Sequence, residues 1–300
     1  MKRAEFIKNT GLLAAGTLLA PLSSLAKADN RLVVLHTNDW HSHIDPFPLD
    51  DKKYPGMGGA AKRAQLIADI RAQYKNVLLL DSGDIFQGTP YFNYYSGELE
   101  FKLMSEMGYD FATLGNHDFD AGIDGFAKQL PHASFKFVCA NYDFTDTPLQ
   151  NKIKPYAISR KGHFKIGVFG IGIELDGLVP AKLYGNTKYL DPIQKANETA
   201  QLLKNEGCNL IICLSHLGYE YNSNKVSDKV LAQNTQNIDL ILGGHTHTFL
   251  TYPQPILNQN GNEIFIAQTG WAGLNLGRID YEHSSLKTVS IKEFTTTKIC

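Results

Sequence analysis

Cysteine, tryptophan and methionine are scarce in this chain, at 4, 2 and 4 of 300 residues. So few thiols cannot build a disulfide scaffold, and stability has to come from a hydrophobic core. An excess of one charge is missing as well. Lys and Arg number 29 against 30 Asp and Glu, a net charge of −1, which leaves no basic footprint for a nucleic acid. Long apolar runs are also lacking. The longest, at residues 11–22, falls short of the roughly 20 residues that a membrane-spanning helix needs. No internal repeat, low-complexity stretch or Pro/Ser-rich linker marks off a second domain.

That short apolar run has a telling setting. Lys2, Arg3 and Lys8 stand before it, and Ala26-Lys27-Ala28 after it forms the small-x-small pattern that signal peptidase reads. We expect residues 1–28 to be a signal peptide, cleaved after Ala28, and residues 29–300 to form one domain. The protein is then exported to the periplasm or cell envelope. Residues 3–8 (RAEFIK) resemble a twin-arginine export signal in which Ala4 replaces the second arginine. No cysteine follows the apolar run, so no lipoprotein anchor is expected. The signal carries four basic residues and one acidic, so its removal takes the charge from −1 to about −4 and leaves 272 residues, enough for a sizeable core. Cys213 lies within an apolar run and reads as a packed thiol, while Cys300 at the terminus is free to pair.

Five apolar strands then run directly into polar clusters. Residues 31–35 lead to Asp39 and His41, 76–80 to Asp84, 110–114 to Asn116 and His117, 210–214 to His216, and 238–242 to His245 and His247. Helical spacing separates them, at residues 60–74 with Ala64, Ile67, Ala68 and Ile70 on one face, and at Leu99, Leu103, Met104 and Met107, stopped by Gly108. Residues 158–171 read as a hairpin turning at Lys161-Gly162. Asp191-Pro192 supplies a cap and a first-turn proline. The last fifty residues read as strands, with turns at 258–262 and 283–286. Buried strands alternating with helices imply an α/β core, whose carboxyl-end loops gather on one edge. Clusters distant in sequence can meet there.

Asp, His and Asn are the oxygen and imidazole donors that suit Mn, Fe, Zn and Co. In extended chain, Asp39-x-His41 and His245-x-His247 each aim two donors the same way. Gly83, Gly115 and Gly243-Gly244 let the backbone turn sharply beside an ion. His117 follows Asn116 directly and cannot easily face the same ion. Its orienting carboxylate would be Asp118 or Asp120. His43 and Asp81 read as supporting residues. Tyr91, Phe92, Tyr94, Tyr95 and Trp271 read as packing aromatics that could also line a cleft. His132, His163 and His283 match no cluster.

The strings LHTNDWHSH (35–43), GDIFQG (83–88), GNHDFD (115–120), SH (215–216) and GGHTH (243–247) resemble, in order and spacing, the five motifs of the calcineurin-like metallophosphoesterases. More narrowly they resemble the 5′-nucleotidase branch, over residues 32–280. The resemblance implies a four-layer α/β/β/α sandwich of two mixed sheets flanked by helices, with a dinuclear metal site at the carboxyl ends of the strands. It implies one metal on Asp39, His41, Asp84 and His247, and a second on Asp84, Asn116, His216 and His245, with Asp84 bridging. Asn116 and His117 would bind substrate, His117 would be catalytic, and Asp120 would orient it. The expected reaction is hydrolysis of small phosphate monoesters, nucleoside 5′-monophosphates first, by attack of a metal-bridging hydroxide on phosphorus. Secreted 5′-nucleotidases that the chain resembles carry a C-terminal specificity domain. Here the chain stops at Cys300, which leaves three expectations open: low specificity, a separate chain of that type as a partner, or recognition by local loops. The same donors also suit a cyclic-nucleotide phosphodiesterase, a UDP-sugar hydrolase, a thiosulfohydrolase-like enzyme, or a non-catalytic metal-binding subunit.

Overall fold

The β-branched run Arg31–Thr37 forms the first strand, β1, and is buried almost along its length. Its side chains alternate between two cores. Leu32 and Val34 enter one, and Val33 and Leu35 enter the other. That alternation repeats through a computed structural model that describes residues 30–283 and 289–300. The signal peptide expected at 1–28 lies outside the described residues, as does most of the turn expected at 283–286.

In chain order, β1 leads to helix α1 (Ala60–Gln73), β2 (Val77–Asp81), α2 (Pro90–Tyr95), α3 (Glu98–Met107), β3 (Phe111–Ala112) and α4 (Gly122–Gln129). Short strands β4 (Lys136–Phe137) and β5 (Tyr142–Asp143) precede the hairpin β6 (Tyr156–Lys161) and β7 (Phe164–Ile171). Next come α5 (Ala181–Tyr184), β8 (Lys188–Tyr189), α6 (Pro192–Asn205), β9 (Leu210–Ser215), α7 (Asp228–Gln233) and β10 (Leu240–Leu242). Strands β11 (Gln254–Leu257), β12 (Glu263–Ala267), β13 (Asn275–His283) and β14 (Val289–Lys298) close the chain.

Two six-stranded sheets result, ordered β14-β13-β1-β2-β3-β4 and β11-β12-β10-β9-β7-β6. Both are mixed. β1, β2, β3 and β4 run parallel while β13 is antiparallel to β1, and in the second sheet β7, β9, β10 and β12 run parallel between antiparallel edges. Leu32, Val34, Leu78 and Leu80 from the first sheet meet Ile166, Val168, Ile212 and Leu242 from the second, which makes the sheets face each other. The outer face of the first sheet packs Val33 and Leu79 against Ile67 of α1 and Phe101 and Met104 of α3. The outer face of the second packs Ile211 and Cys213 against Ala196, Ala200 and Leu203 of α6. The architecture is the expected α/β/β/α sandwich. Each fully buried Leu or Ile in these layers contributes roughly 1.5–3 kcal/mol.

Several local expectations needed revision. On α1 the buried stripe is Ala60, Arg63, Ile67 and Ile70, and Ala68 is exposed. Arg63 is buried because its guanidinium stacks 4.0 Å from the Trp40 ring, a cation–π contact that hydrophobic spacing does not register. On α3 the stripe holds Glu100 and Phe101 rather than Leu99, and Gly108 ends the helix with φ 74°. Asp191 caps α6, its Oδ1 accepting from the Gln194 amide at 2.8 Å. Cys139, Cys208 and Cys213 are buried free thiols, and Cys300 is exposed.

Candidate metal centre

The loops after β1 and β2 are joined by their backbones. Asp39 N–H donates to Gly83 O at 2.9 Å, His41 N–H to Asp84 O at 3.0 Å, and Ser42 N–H to Ile85 O at 3.0 Å. The loop after β3 is tied to the same place by Asp118. Its carboxylate is fully buried and accepts from the backbone amides of Asp84 (3.0 Å), Ile85 (2.9 Å), Phe86 (3.3 Å) and Gly115 (2.8 Å). Asp118 is therefore not the carboxylate that orients His117, a role that falls to Asp120. Asp118 instead fastens two of the donor loops together from below.

The donors converge into two groups. Asp39, His41 and His247 form one, and Asp84, His216 and His245 the other. His41 Nε2 and His247 Nε2 approach within 3.0 Å, with His247 Nε2 3.4 Å from Asp39 Oδ1. In the second group His216 Nε2 lies 3.0 Å from Asp84 Oδ2, and His245 Nδ1 lies 2.9 Å from Asn116 Oδ1. Asp84 Oδ2 is also 3.8 Å from His41 Nε2, so this oxygen stands between the groups. All of the expected donors meet at one edge of the sandwich.

These residues fit divalent cations on geometry and on chemistry. His216 is fully buried and donates its Nδ1 proton to Ser82 O at 2.7 Å, which fixes the tautomer and turns Nε2 toward Asp84. That buried Nε2 has no well-directed hydrogen-bond partner despite its 3.0 Å approach to the carboxylate. Two buried groups aimed at a shared point rather than at each other are what a cation between them requires. His41 Nε2 and His247 Nε2, 3.0 Å apart, are both turned toward Asp39 Oδ1, as ligands of one ion would be. The two carboxylates, Asp39 and Asp84, offset only half the charge of two divalent ions.

Protonation supports this reading. Burial alone would raise the Asp84 carboxyl, but the imidazoles of His216, His41 and His117 together hold it well below the usual carboxylate range. Burial works against charge on His216 too, yet Asp84 and Asp39 outweigh it and push the imidazole up to about 10, so a cation entering here displaces a proton. Burial holds His41 below its ordinary value. Burial, reinforced by His216, brings His245 down to about 4, which leaves it a neutral ligand.

The way the donors pair differs from the extended-chain expectation. Asp39, His41, Asp84, His245 and His247 all have positive φ, from 51° to 71°. Left-handed backbone is costly for residues with a Cβ and persists where surrounding contacts enforce it. Here the interloop hydrogen bonds above enforce it, and tight turning rather than strand pleating aims the pairs inward. Two glycines provide the room. A Cβ on Gly115 would stand 2.1 Å from Asp84 Oδ1, and one on Gly244 would stand 2.9 Å from His216 Nδ1 and 3.0 Å from Asp39 Oδ2.

His117 sits beside the first group, its ring 5.3 Å from that of His41. Its Nδ1 lies 2.8 Å from Asp120 Oδ2, and its backbone N–H donates to Asp84 Oδ1 at 2.8 Å. The hydrogen bond to Asp120 raises its pKa above the ordinary histidine value. Among the supporting residues, Asp81 is buried and accepts from Thr37 Oγ1 at 2.6 Å, while His43 stacks on Phe47. His163 and His283 stack on each other, away from the donor groups. Of the tyrosine-rich segment, Phe92 packs on Phe86, and Tyr94 is exposed.

Two facing mixed sheets with paired His/Asp donor groups at their strand ends define the class of dinuclear-metal hydrolases built on an α/β/β/α sandwich. The calcineurin-like phosphoesterase family matches residues 32–249, and the chain belongs to that family, on its 5′-nucleotidase branch. It is 31% identical over 289 residues to a snake venom 5′-nucleotidase of Gloydius brevicauda, covering 90% of this chain and 48% of that protein. Among solved structures it resembles a 5′-nucleotidase precursor from Thermus thermophilus, with TM-score 0.78, 31% identity, and coverage of 90% of this chain and 54% of that one. It also resembles NAD nucleotidase of Haemophilus influenzae, with TM-score 0.78, 29% identity, and coverage of 90% and 56%. The chain spans about half the length of the curated relatives it matches. No helix among the described residues is long and apolar enough to cross a membrane.

Proposed function

We propose that this chain is an exported hydrolase of small phosphate monoesters, with nucleoside 5′-monophosphates as its preferred class. The observation that carries this reading is the convergence of Asp39, His41, Asp84, Asn116, His216, His245 and His247 at one edge of the sandwich, with an Asp120-held His117 beside them. Asp39, His41 and His247 would hold one ion and His216, His245 and Asn116 the other, with Asp84 placed to serve both. Two divalent cations there would polarise the phosphate oxygens, lower the pKa of a water between them, and steady both ends of an in-line displacement.

The chain's own residues supply the rest. Asn116 and His117 bracket the phosphate position. Asp120 takes the Nδ1 side of the His117 ring and leaves Nε2 for a substrate oxygen. The hydrogen bond to Asp120 favours the protonated ring, which can offset charge developing on phosphate or hand a proton to the leaving oxygen. Asp118 holds Asp84 in register while this happens.

Likeness to a nucleotidase that acts on NAD favours a second reading, in which the same residues cleave a pyrophosphate such as a dinucleotide or UDP-sugar. A separate chain that reads the base is a candidate partner. The experiment is a substrate panel on purified, manganese-loaded protein, run with and without any co-purifying protein. Phosphate release from AMP, abolished by chelator, is expected. A folded, fully metallated protein that cleaves no phosphate, pyrophosphate or sulfur ester would sink the proposal. Export is checked by the mass of the secreted protein, which should begin at Asp29.

A further inference from the structure

Beyond the metal donors, the rim of the site is aromatic. Trp271 lies face to face on the His247 imidazole, with centroids 5.4 Å apart and planes inclined by 3°. Phe47 meets Trp271 at 6.0 Å, Tyr54 meets Phe47 at 5.4 Å, and Phe249 meets Tyr54 at 6.4 Å. These rings come from three separate loops, after β1, after β10, and between β12 and β13. The chain therefore assembles the row by folding, not by composition.

Packing accounts for it only in part, since His43 stacks on Phe47 at 5.0 Å and meets Trp271 edge-on at 5.3 Å. None of the four rings is buried, and Phe249 is 46% exposed. The core aromatics Phe86, Phe101 and Phe126 are at most 1% exposed. Phe249 is nonetheless held in place, because its ring covers Gly270 so closely that a Cβ there would come within 2.3 Å. Its surroundings thus fix one side of the ring and leave the rest open. Lys53 Nζ stands 5.1 Å from the Tyr54 ring centre, at the outer part of the row, where positive charge suits an anionic substrate.

A row of fixed, half-open rings that starts on a metal donor and runs outward matches a planar group attached to a phosphate. We propose that Trp271, Phe47, Tyr54 and Phe249 form a stacking subsite for the aromatic part of the substrate. The catalytic domain thereby selects nucleoside or aryl phosphates over aliphatic phosphate esters. The inference rests on the phosphoesterase reading, since phosphate bound at the donors is what places the leaving group along the wall.

The test compares kcat/KM for AMP and for glycerol 3-phosphate, with manganese, in the wild type, Tyr54→Ala, Phe249→Ala and Phe249→Trp. The ratio of the two should fall about tenfold in each alanine variant, mainly through KM, and return with Phe249→Trp. A ratio that stays within about twofold of the wild type overturns the proposal. If the wild type hydrolyses neither ester, the phosphoesterase reading fails on its own, and binding still decides the subsite. AMP should then quench the fluorescence of Trp271 in manganese-loaded protein while glycerol 3-phosphate does not. No quenching by AMP overturns it.

Discussion

The two donor groups are built from similar residues, two buried and one half-buried in each, but they are anchored to different degrees. Around Asp84 and His216 the side chains are 2% and 0% exposed, the imidazole is locked to Ser82 O, and Asp118 grips the backbone of Asp84 itself. Around Asp39, His41 and His247 the half-buried donor instead leans on Trp271, its side chain 38% exposed. The difference teaches a division of labour. The Asp84–His216 group, with its fixed tautomer and backbone anchors, is expected to hold an ion the more tightly, and the Asp39–His247 group to exchange one more readily.

The comparison can be broken most severely at Asp84, whose Oδ2 lies 3.0 Å from His216 Nε2 and 3.8 Å from His41 Nε2. Asp84→Ala should abolish measurable phosphate release and lower the bound metal at both positions. Retention of one full equivalent with normal affinity would show that the groups are independent. The next largest effect is expected at His117, which lies beside the donors without belonging to either group. His117→Ala should keep both ions in metal analysis and lose roughly 10²–10⁴-fold in kcat. Loss of metal would instead make it a ligand.

Asp118 sharpens the contrast. Asp118→Asn places an amide against four backbone N–H groups. It should weaken metal at the Asp84–His216 group by roughly 10–100-fold, leave the Asp39–His247 group less affected, and lower the melting temperature. Equal weakening at both groups would mean that Asp118 supports the fold in general.

A smaller effect concerns a residue outside both groups. His36 is buried in β1 under Gly277, and burial brings its pKa down to about 3. The folded value lies below the unfolded 6.5, so the folded state favours the neutral ring. Its stabilising contribution is full above pH 6.5 and fades as the pH falls toward 3. Metal-free protein should therefore lose stability across that window, by on the order of 4 kcal/mol at its acid end. His36→Phe, which cannot titrate, should lose less in urea unfolding at pH 4 than at pH 7 relative to wild type. An unchanged pH dependence would assign the acid sensitivity elsewhere.

Much of this was legible in the sequence, for identifiable reasons. The donors follow buried strands, and strand ends on one sheet edge gather whatever residues they carry, so Asp39, Asp84, Asn116, His216 and His245 could be placed together before any coordinates. Strand and helix alternation implied an α/β core, and the layer order followed from the family resemblance. Three things were hidden. The left-handed backbone of Asp39, His41 and Asp84 has no periodicity to reveal it, being imposed by hydrogen bonds between distant loops. Asp118 bonds to backbone amides, which leave no mark on residue identity. Arg63 reads as a polar interruption of α1, although it is a buried ring partner of Trp40. The one available signal for Asp118 was its place inside the GNHD string, directly after two functional residues.

The most direct measurement of the central claim is anomalous diffraction from crystals of the protein loaded with manganese. Two peaks are predicted, about 3.5–4 Å apart, one among Asp39, His41 and His247, the other among His216, His245 and Asn116, with Asp84 between them. A single peak, or two peaks that do not share Asp84, would contradict the account.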